Sequence, residues 1–301
     1  MITIFGSTNL DQIGTVSRLP APGETVAGGS FSMAPGGKGA NQALAARRAG
    51  AEVRHVSAVG RDAFAPLALA ELEAGGVRLD AMHHADTASG IAMIFVDTHG
   101  ENVIAVLPGA NGTLGAADGE AAVAAMAEAD LLVCQQEIPQ AATRAALKAA
   151  RRRGIVSILN TAPMLADTAE LAPLAAILVA NETEFALLSG GSADALEPAM
   201  ADWARAHGQT VIVTLGPDGA RAATPGGDLL SVPAYKVTPV DTVGAGDTFV
   251  GYLAQGLSAG LGLEPALRRA ATAGSLACLK PGAQPAIPHA QEVEAVLERT
   301  G

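Results

Sequence analysis

Short apolar runs alternate along the chain with longer stretches whose apolar residues recur at helical spacing. Six runs have the length and the flanking turn residues of buried strands, namely residues 2–5, 53–59, 131–134, 156–159, 177–179 and 211–213. A first helix is predicted to begin after the segment 36–42 and to end near 49, and another helix is predicted to end at 153. Further helices are predicted over 63–74, 115–128, 198–207, 247–259, 264–279 and 290–299. Strands that alternate with helices predict an α/β fold with a doubly wound, mainly parallel sheet flanked by helices.

Two segments depart from this alternation. Residues 13–35 are rich in Gly and Pro, with short β-like pieces at 25–27 and 30–33 instead of a crossover helix. Residues 91–96 and 102–107 are apolar runs joined by five turn-forming residues, which is typical of a β-hairpin. We therefore predict a small antiparallel sheet that is separate from the main one.

Polar side chains follow five of the predicted strands. They are Asn9 and Asp11, Glu137, Asn160 and Thr161, Asn181 and Glu184, and Thr214 with Gly216 and Gly219. Such residues also form ordinary turns, but open α/β sheets bind their ligands at the carboxyl ends of the strands. A ligand site is expected at this edge.

The segment 241–249 (DTVGAGDTF) predicts a tight turn that opens an apolar helix. The small residues Gly244, Ala245 and Gly246 leave backbone N–H groups uncovered at the positive end of the helix dipole, which is an anion site. Asp247 would repel that anion as a ligand, but it suits a base that takes a proton from a hydroxyl group. The alternative is that Asp247 merely caps the helix.

Composition narrows the class of protein. The 301 residues carry a formal net charge of −11 with no basic stripe, which argues against a nucleic-acid or anionic-membrane partner. No signal peptide is recognised, and the longest apolar run, 171–180, is too short to cross a membrane. The cysteines Cys134 and Cys278 show no CxxC spacing, so we expect a cytoplasmic protein in a reducing compartment.

The common phosphate-binding and nucleophile motifs are absent. There is no P-loop, no dinucleotide-binding GxGxxG, no GxSxG elbow and no protein-kinase HRD or DFG set. What remains is an anion site with a carboxylate, a second Gly-rich turn with Lys38, and several short amides and carboxylates. These groups fit phosphoryl transfer from a nucleotide to a sugar hydroxyl.

Two signature segments, 36–43 (GGKGANQA) and 241–249, resemble those of the PfkB-type carbohydrate kinase family. The likeness runs through nearly the whole chain and includes 6–11 (GSTNLD), 100–104 (GENVI), 181–184 (NETE), 214–216 (TLG) and 282–285 (GAQP). It implies a single domain over 1–301 with a β-sheet lid formed by about 12–35 and 90–107. It also implies ATP- and Mg²⁺-dependent phosphorylation of D-ribose at O5, with K⁺ as an activator and a homodimer formed through the lid.

The resemblance also implies roles for individual residues. Asp247 would be the catalytic base, and Gly244, Ala245 and Gly246 the anion hole for the γ-phosphate. The sugar would be held by Asn9, Asp11, Gly37, Lys38, Asn41 and Glu137. The nucleotide side would comprise Asn181 and Glu184, which organise Mg²⁺ and phosphate, with Thr214, Gly216 and Gly219. The monovalent cation would lie near Asp241, Val243, Ala277 and Gly282.

Two positions depart from the family pattern. Ala286 stands where the family often has Ser, which removes one hydroxyl from the cation site. Thr161 stands where the family often has Pro, and we attach no function to this difference. Several alternatives stay open: Lys38 and Asn41 as helix-start residues, Glu137 as a loop carboxylate, and Asn181 with Glu184 as a plain capping box. Competing functions are a sister kinase of a ketose, sugar acid or nucleoside, and a non-catalytic sugar sensor. The absence of aromatics in 6–12 and 36–43 disfavours a nucleoside, and the intact Asp247 disfavours a sensor.

Overall fold

The computed structural model describes residues 1–191 and 195–300. The strands are β1 Ile2–Phe5, β2 Asn9–Val16, β3 Gly28–Gly36, β4 Val53–Gly60, β5 Arg78–Ala85, β6 Gly90–Val96, β7 Asn102–Leu107, β8 Leu131–Cys134, β9 Val156–Asn160, β10 Ile177–Asn181, β11 Thr210–Thr214, β12 Ala220–Ala223 and β13 Leu229–Val232. The helices are α1 Lys38–Arg48, α2 Phe64–Ala74, α3 Ala116–Ala124, α4 Gln140–Arg152, α5 Thr168–Leu171, α6 Glu182–Ser189, α7 Leu196–His207, α8 Ala245–Ser258, α9 Leu263–Ala277 and α10 Ala290–Thr300.

Nine strands form the main sheet in the order β13-β12-β11-β10-β9-β8-β1-β4-β5. All neighbours from β11 to β5 run parallel, and β12 and β13 add an antiparallel edge. The chain starts in the middle with β1, winds outward through β4 and β5, and returns to β8 on the other side. The predicted doubly wound sheet is confirmed, and the switch point between β1 and β8 is where such sheets open a ligand crevice.

Helices cover both faces of the main sheet. Successive strand residues point to opposite faces, so Ile4 joins one buried cluster with α1, α8 and α9, whereas Phe5 joins the other with α3 and α4. Helices α1 and α8 cross closely at Gly251, which has no side chain. A Cβ added at Gly251 would lie only 2.5 Å from the Cβ of Ala45. This crossing brings the first turns of α1 and α8 together at the carboxyl edge of the sheet.

The second sheet has the order β3-β2-β6-β7. Its two outer pairings are antiparallel, as predicted, but the central pairing of β2 with β6 is parallel. The hairpin pattern could not reveal this, because α1, β4, α2 and β5 of the main body intervene between β3 and β6. Residues 30–33 lie in β3, whereas 25–27 form no strand.

The six predicted strands of the main sheet are present with ends within two residues of the prediction, but the strands β2, β5, β12 and β13 and the short helices α5 and α6 were missed. Strands β5, β12 and β13 lie at the ends of the main sheet, and their polar or Ala-rich sequences give no strong apolar run. Within the described ranges, no helix is both long and apolar enough to cross a bilayer.

Candidate active site

Five of the predicted site residues share one electrostatic environment at the carboxyl edge of the main sheet. Asp247, then Glu137, Glu184 and Asp11, raise the pKa of the Lys38 ammonium, and burial opposes them. These residues come from β2, α1, the segment after β8, α6 and α8. The tertiary structure therefore gathers one cation and four carboxylates into one charged cluster.

Asp247 lies in the first turn of α8 and is buried. Its Oδ2 accepts a hydrogen bond of 2.9 Å from Asn41 Nδ2, and its Oδ1 accepts one of 2.9 Å from Gln42 Nε2. The N-cap of α8 is Gly244, with φ of 76°, and no side chain caps it. Asp247 thus directs its carboxylate toward α1 and does not cap its own helix.

The N–H groups at the start of α8 are only partly free. Among the described residues, no acceptor pairs with the N–H of Gly244 or Gly246, whereas the N–H of Ala245 donates to Thr242 O at 3.3 Å. The expectation of three free amides is corrected at Ala245, because the left-handed backbone of Gly244 closes a turn from Thr242 to Ala245. A Cβ at Gly246 would meet no atom within 4 Å, so there is open space beside this residue.

The side chains predicted to hold the sugar lie next to this carboxylate. Asn9 is buried and its Oδ1 accepts a hydrogen bond of 2.8 Å from Asn111 Nδ2. Asn111 is fixed in turn by the backbone N–H of Thr8, which donates to its Oδ1. Asn41 is buried too, and its Oδ1 has no partner within the described part of the chain. A buried acceptor without a donor is costly unless a ligand or water supplies one.

Asp11 is an unusual carboxylate. Burial, with the nearby charges of Glu137 and Asp247, raises its pKa to about 7, and Lys38 opposes that rise. An acid that is half protonated near neutral pH can either donate or accept a hydrogen bond. Such groups concentrate at functional sites.

Glu137 is not a free loop carboxylate. Its Oε2 accepts hydrogen bonds from Ser7 Oγ at 2.6 Å and from the backbone N–H of Lys38 at 3.0 Å. It therefore holds the start of α1, where Gly37 is the N-cap residue. This contact fixes Lys38 and Asn41 relative to the end of β1.

Asn181 and Glu184 do form the capping box that was left open. Asn181 Oδ1 accepts from Glu184 N at 2.8 Å, and Glu184 Oε2 accepts from Asn181 N at 3.1 Å. Thr161 Oγ1 adds a donor of 2.8 Å to the same Glu184 oxygen. Since Glu184 also raises the pKa of Lys38, its capping role leaves it inside the charged cluster.

A cavity of about 310 Å³ adjoins the start of α8. Five predicted residues line it: Thr214, Gly216, Gly219, Ala245 and Gly246. Its other lining residues are mainly apolar, and most of them come from residues 234–239 and from α9. Asn181 and Glu184 are not part of this lining, although Asn181 pairs across β10 and β11 with the lining residue Thr214.

Three of the four residues predicted near a monovalent cation contact one another just before the start of α8, and the N–H of Asp241 donates to the carbonyl of Cys278, the residue after Ala277. Asp241 Oδ1 accepts from Val243 N at 3.0 Å, and Asp241 Oδ2 accepts from Gly282 N at 2.8 Å. Ala277 is the last residue of α9. Within residues 1–191 and 195–300, no three His, Cys, Asp or Glu side chains are grouped to hold a metal ion.

Several residues of the site had no predicted role. Gln42, Asn111 and Ser7 are buried and bond Asp247, Asn9 and Glu137. Gln135 and Asn160 are also buried and bond Gln42. Gln42 could have been suspected, because it belongs to the segment 36–43. Ser7 likewise belongs to the segment 6–11, and Asn160 is among the polar residues that follow the predicted strands. Nothing in the local sequence indicates Gln135 or Asn111, whose partners Gln42 and Asn9 are 93 and 102 residues away in the chain.

The site has the parts of a phosphotransferase. A buried carboxylate lies beside unpaired amides at a helix N-terminus, with buried polar side chains around it and a mainly apolar cavity adjoining the helix start. This arrangement can bind an anionic group, accept a proton and hold two substrates at once.

Comparison with known proteins agrees with this class. The family described as "pfkB family carbohydrate kinase" matches residues 1–290, so the chain belongs to the pfkB family of carbohydrate kinases. It is 38% identical to the ribokinase of Bacillus subtilis over 301 residues, which is 98% of this chain and 99% of that protein.

Solved structures give the same result. The ribokinase of Thermotoga maritima matches with a TM-score of 0.87 and 31% identity, over 99% of each chain. The ribokinase of Arabidopsis thaliana, complexed with ribose and ATP, matches with a TM-score of 0.87 and 29% identity over 99% of this chain and 98% of that one.

Proposed function

We propose that this protein transfers the γ-phosphoryl group of ATP to O5 of D-ribose, giving ribose 5-phosphate, ADP and a proton. The observation that carries the proposal is the position of Asp247, buried beside the unpaired N–H of Gly246 and bonded to Asn41. The Arabidopsis relative, complexed with ribose and ATP, supports the choice of both substrates.

The sugar is assigned to the polar side chains of Asn9, Asp11, Lys38 and Asn41. These groups offer donors and acceptors at short range, which suits a polyhydroxylated ligand. The unpaired Oδ1 of Asn41 needs a donor, and a ribose hydroxyl would provide one. Glu137 and Gly37 would act here by fixing the start of α1.

The nucleotide is assigned to the 310 Å³ cavity. Thr214, Gly216 and Gly219 lie along it, and Gly246 lies at its end nearest Asp247. In-line transfer would begin when Asp247 removes the proton from the ribose hydroxyl and the freed oxygen attacks the phosphorus. The amides of Gly244 and Gly246 would stabilise the charge on the transferred group.

Metal ions complete the proposal. Mg²⁺ supplies charge neutralisation of the phosphates when it is bound, and Glu184 and Asn181 are the residues we assign to it, through water. We assign K⁺ to the region of Asp241, Val243, Ala277 and Gly282, where backbone carbonyls would be its main ligands. Asp241 itself would order that region by accepting the N–H groups of Val243 and Gly282.

The small sheet is assigned as the lid and as the dimer surface. Its register puts Asn9 and Asp11 on one face and Phe31, Phe95 and Val103 on the other. Those three apolar side chains are 66%, 38% and 53% exposed, and a continuous apolar face on a sheet is typical of an interaction surface. We infer that a second copy of the chain covers it, while closure of the site face over ribose excludes water and suppresses ATP hydrolysis.

A substrate panel tests the function. ADP release is measured with ATP and Mg²⁺, with and without K⁺, for pentoses including ribose and 2-deoxyribose, ketohexoses, sugar acids and nucleosides. We expect the highest kcat/KM for D-ribose and a product phosphorylated at O5. A higher kcat/KM for another sugar class would reject ribose as the substrate but retain the kinase activity. Binding of ribose without ADP release would show that the protein is a sugar sensor and not a kinase.

A further inference from the structure

Gln42 makes a contact with Asp247 that no predicted role accounts for. Its Nε2 donates to Asp247 Oδ1 at 2.9 Å and also lies 3.1 Å from Asn160 Oδ1. Its Oε1 accepts from Gln135 Nε2 at 2.6 Å. All three amide residues are at least nine-tenths buried, so these bonds are shielded from competing water.

A backbone carbonyl of the main sheet fixes the orientation of the side-chain amide groups in this network. Asn160 Nδ2 donates to the carbonyl oxygen of Val179 in β10 at 3.2 Å, and that oxygen can only accept. Asn160 must therefore turn its own Oδ1 toward Gln42. Gln42 must in turn present its NH₂ group, because the opposite amide orientation would place its oxygen against two acceptors, Asn160 Oδ1 and Asp247 Oδ1.

We propose that Gln42 is the positioning residue for Asp247 and that Asn160 and Gln135 set its orientation. The proposal rests on the proposed role of Asp247 as the base. Gln42 holds Oδ1 and Asn41 holds Oδ2, so the plane of the carboxylate is fixed by two amides from consecutive positions of α1. A fixed carboxylate stays aligned with the sugar hydroxyl, and a misplacement of about 1 Å can cost on the order of 100-fold in rate.

Gln42 differs from Asn41 in what it can touch. Asn41 keeps an unpaired Oδ1 that a substrate can use, whereas Gln42 is fully buried and its amide nitrogen and oxygen are both bonded. Gln42 therefore acts through Asp247 and not on the sugar. Its removal should lower kcat far more than it changes the KM for ATP.

The main test is Gln42→Met, which keeps the length of the side chain and removes the amide. We expect kcat to fall by ~10–100-fold while KM for ATP stays within about two-fold. The matched control is Gln209→Met, since Gln209 is equally buried but bonds Ala172 O, Ala175 O and Trp203 at the opposite end of the strands. Both variants lose stability, but only Gln42→Met should lose turnover.

A double-variant cycle separates positioning from a general loss of structure. If Gln42 acts only through Asp247, Gln42→Met adds no further loss of kcat to Asp247→Asn. Independent, multiplied losses would overturn the proposal, as would a kcat for Gln42→Met within about three-fold of wild type. If Gln42→Met does not fold, Gln135→Met removes the support of Gln42 instead, and we expect the same split between kcat and KM with a smaller loss.

The two proposals fail separately. Full turnover by Asp247→Asn would remove the base and the proposed mechanism. A large loss in Asp247→Asn with unchanged turnover in Gln42→Met would keep the base and reject the positioning role.

Discussion

The side chains of Asn41 and Asp247 are joined by a hydrogen bond of 2.9 Å although the two residues are 206 positions apart in the chain. The bond ties the first turn of α1 to the first turn of α8. A carboxylate that accepts from Asn41 and Gln42 is held at one place beside the free amides of α8.

The first prediction concerns this carboxylate. Asp247→Asn keeps the shape of the side chain but removes the base, so we expect kcat to fall at least ~100-fold with ATP binding largely kept. Steady-state ADP release and a nucleotide titration measure the two effects. Asp118→Asn, in the first turn of α3, is the control and should keep wild-type kcat. Near-normal turnover of Asp247→Asn would refute the assignment of the base.

The second prediction compares two glycines of the same turn. Gly246→Ala should fold normally, because its Cβ meets no atom within 4 Å, but the methyl group would occupy the space assigned to the phosphate. We expect a raised KM for ATP and a lower kcat without a change in melting temperature.

Gly244→Ala is the contrasting variant. Its backbone has φ of 76° and its Cβ would lie 2.9 Å from Ala283, so thermal unfolding should show a clear loss of stability. Wild-type kinetics for Gly246→Ala would show that the phosphate lies elsewhere.

The third prediction follows from Asp11. The pKa of Asp11 is about 7 in the folded state, compared with the ordinary value of 3.8. Between about pH 4 and pH 7 the folded protein therefore keeps a proton on Asp11 that the unfolded chain has released. The free energy of unfolding should therefore decrease as pH rises from about 4 to about 7. Asp11→Asn should remove on the order of 1–3 kcal/mol of that decrease, after allowance for partial exposure.

Urea unfolding at several pH values in this window measures the effect. Asp202→Asn on the exposed side of α7 is the control and should keep the wild-type pH dependence. A parallel pH dependence for wild type and Asp11→Asn would contradict the raised pKa.

The fourth prediction concerns assembly. Phe31→Asp puts a charge in the middle of the exposed apolar face of the small sheet, so the proposed dimer should dissociate at micromolar concentration. Sedimentation or light scattering measures the mass. Leu229→Asp is the control, because Leu229 is also half exposed but lies on β13 at the far edge of the main sheet. A wild-type protein that is monomeric throughout would reject the dimer.

Local patterns predicted most of the main sheet, because an apolar run or a helical spacing of apolar residues can be recognised within a short stretch of sequence. They did not predict β2, β5, β12 and β13, which lack a strong apolar run, nor the parallel pairing of β2 with β6. The turn before Asp247 was anticipated, but the bond from Ala245 to Thr242 was not, because it depends on the backbone conformation that Gly244 adopts.

By itself, the sequence determined the α/β class, the two Gly-rich helix starts and the residues at the carboxyl ends of the strands. Only the tertiary structure decided that Gln42, Gln135 and Asn160 join Asp247 in one network and that Glu137 holds the start of α1. The reason is physical: periodicity and turn propensity act over a few residues, whereas a buried hydrogen bond is made between whichever side chains the crossing of distant helices and strands brings within about 3 Å.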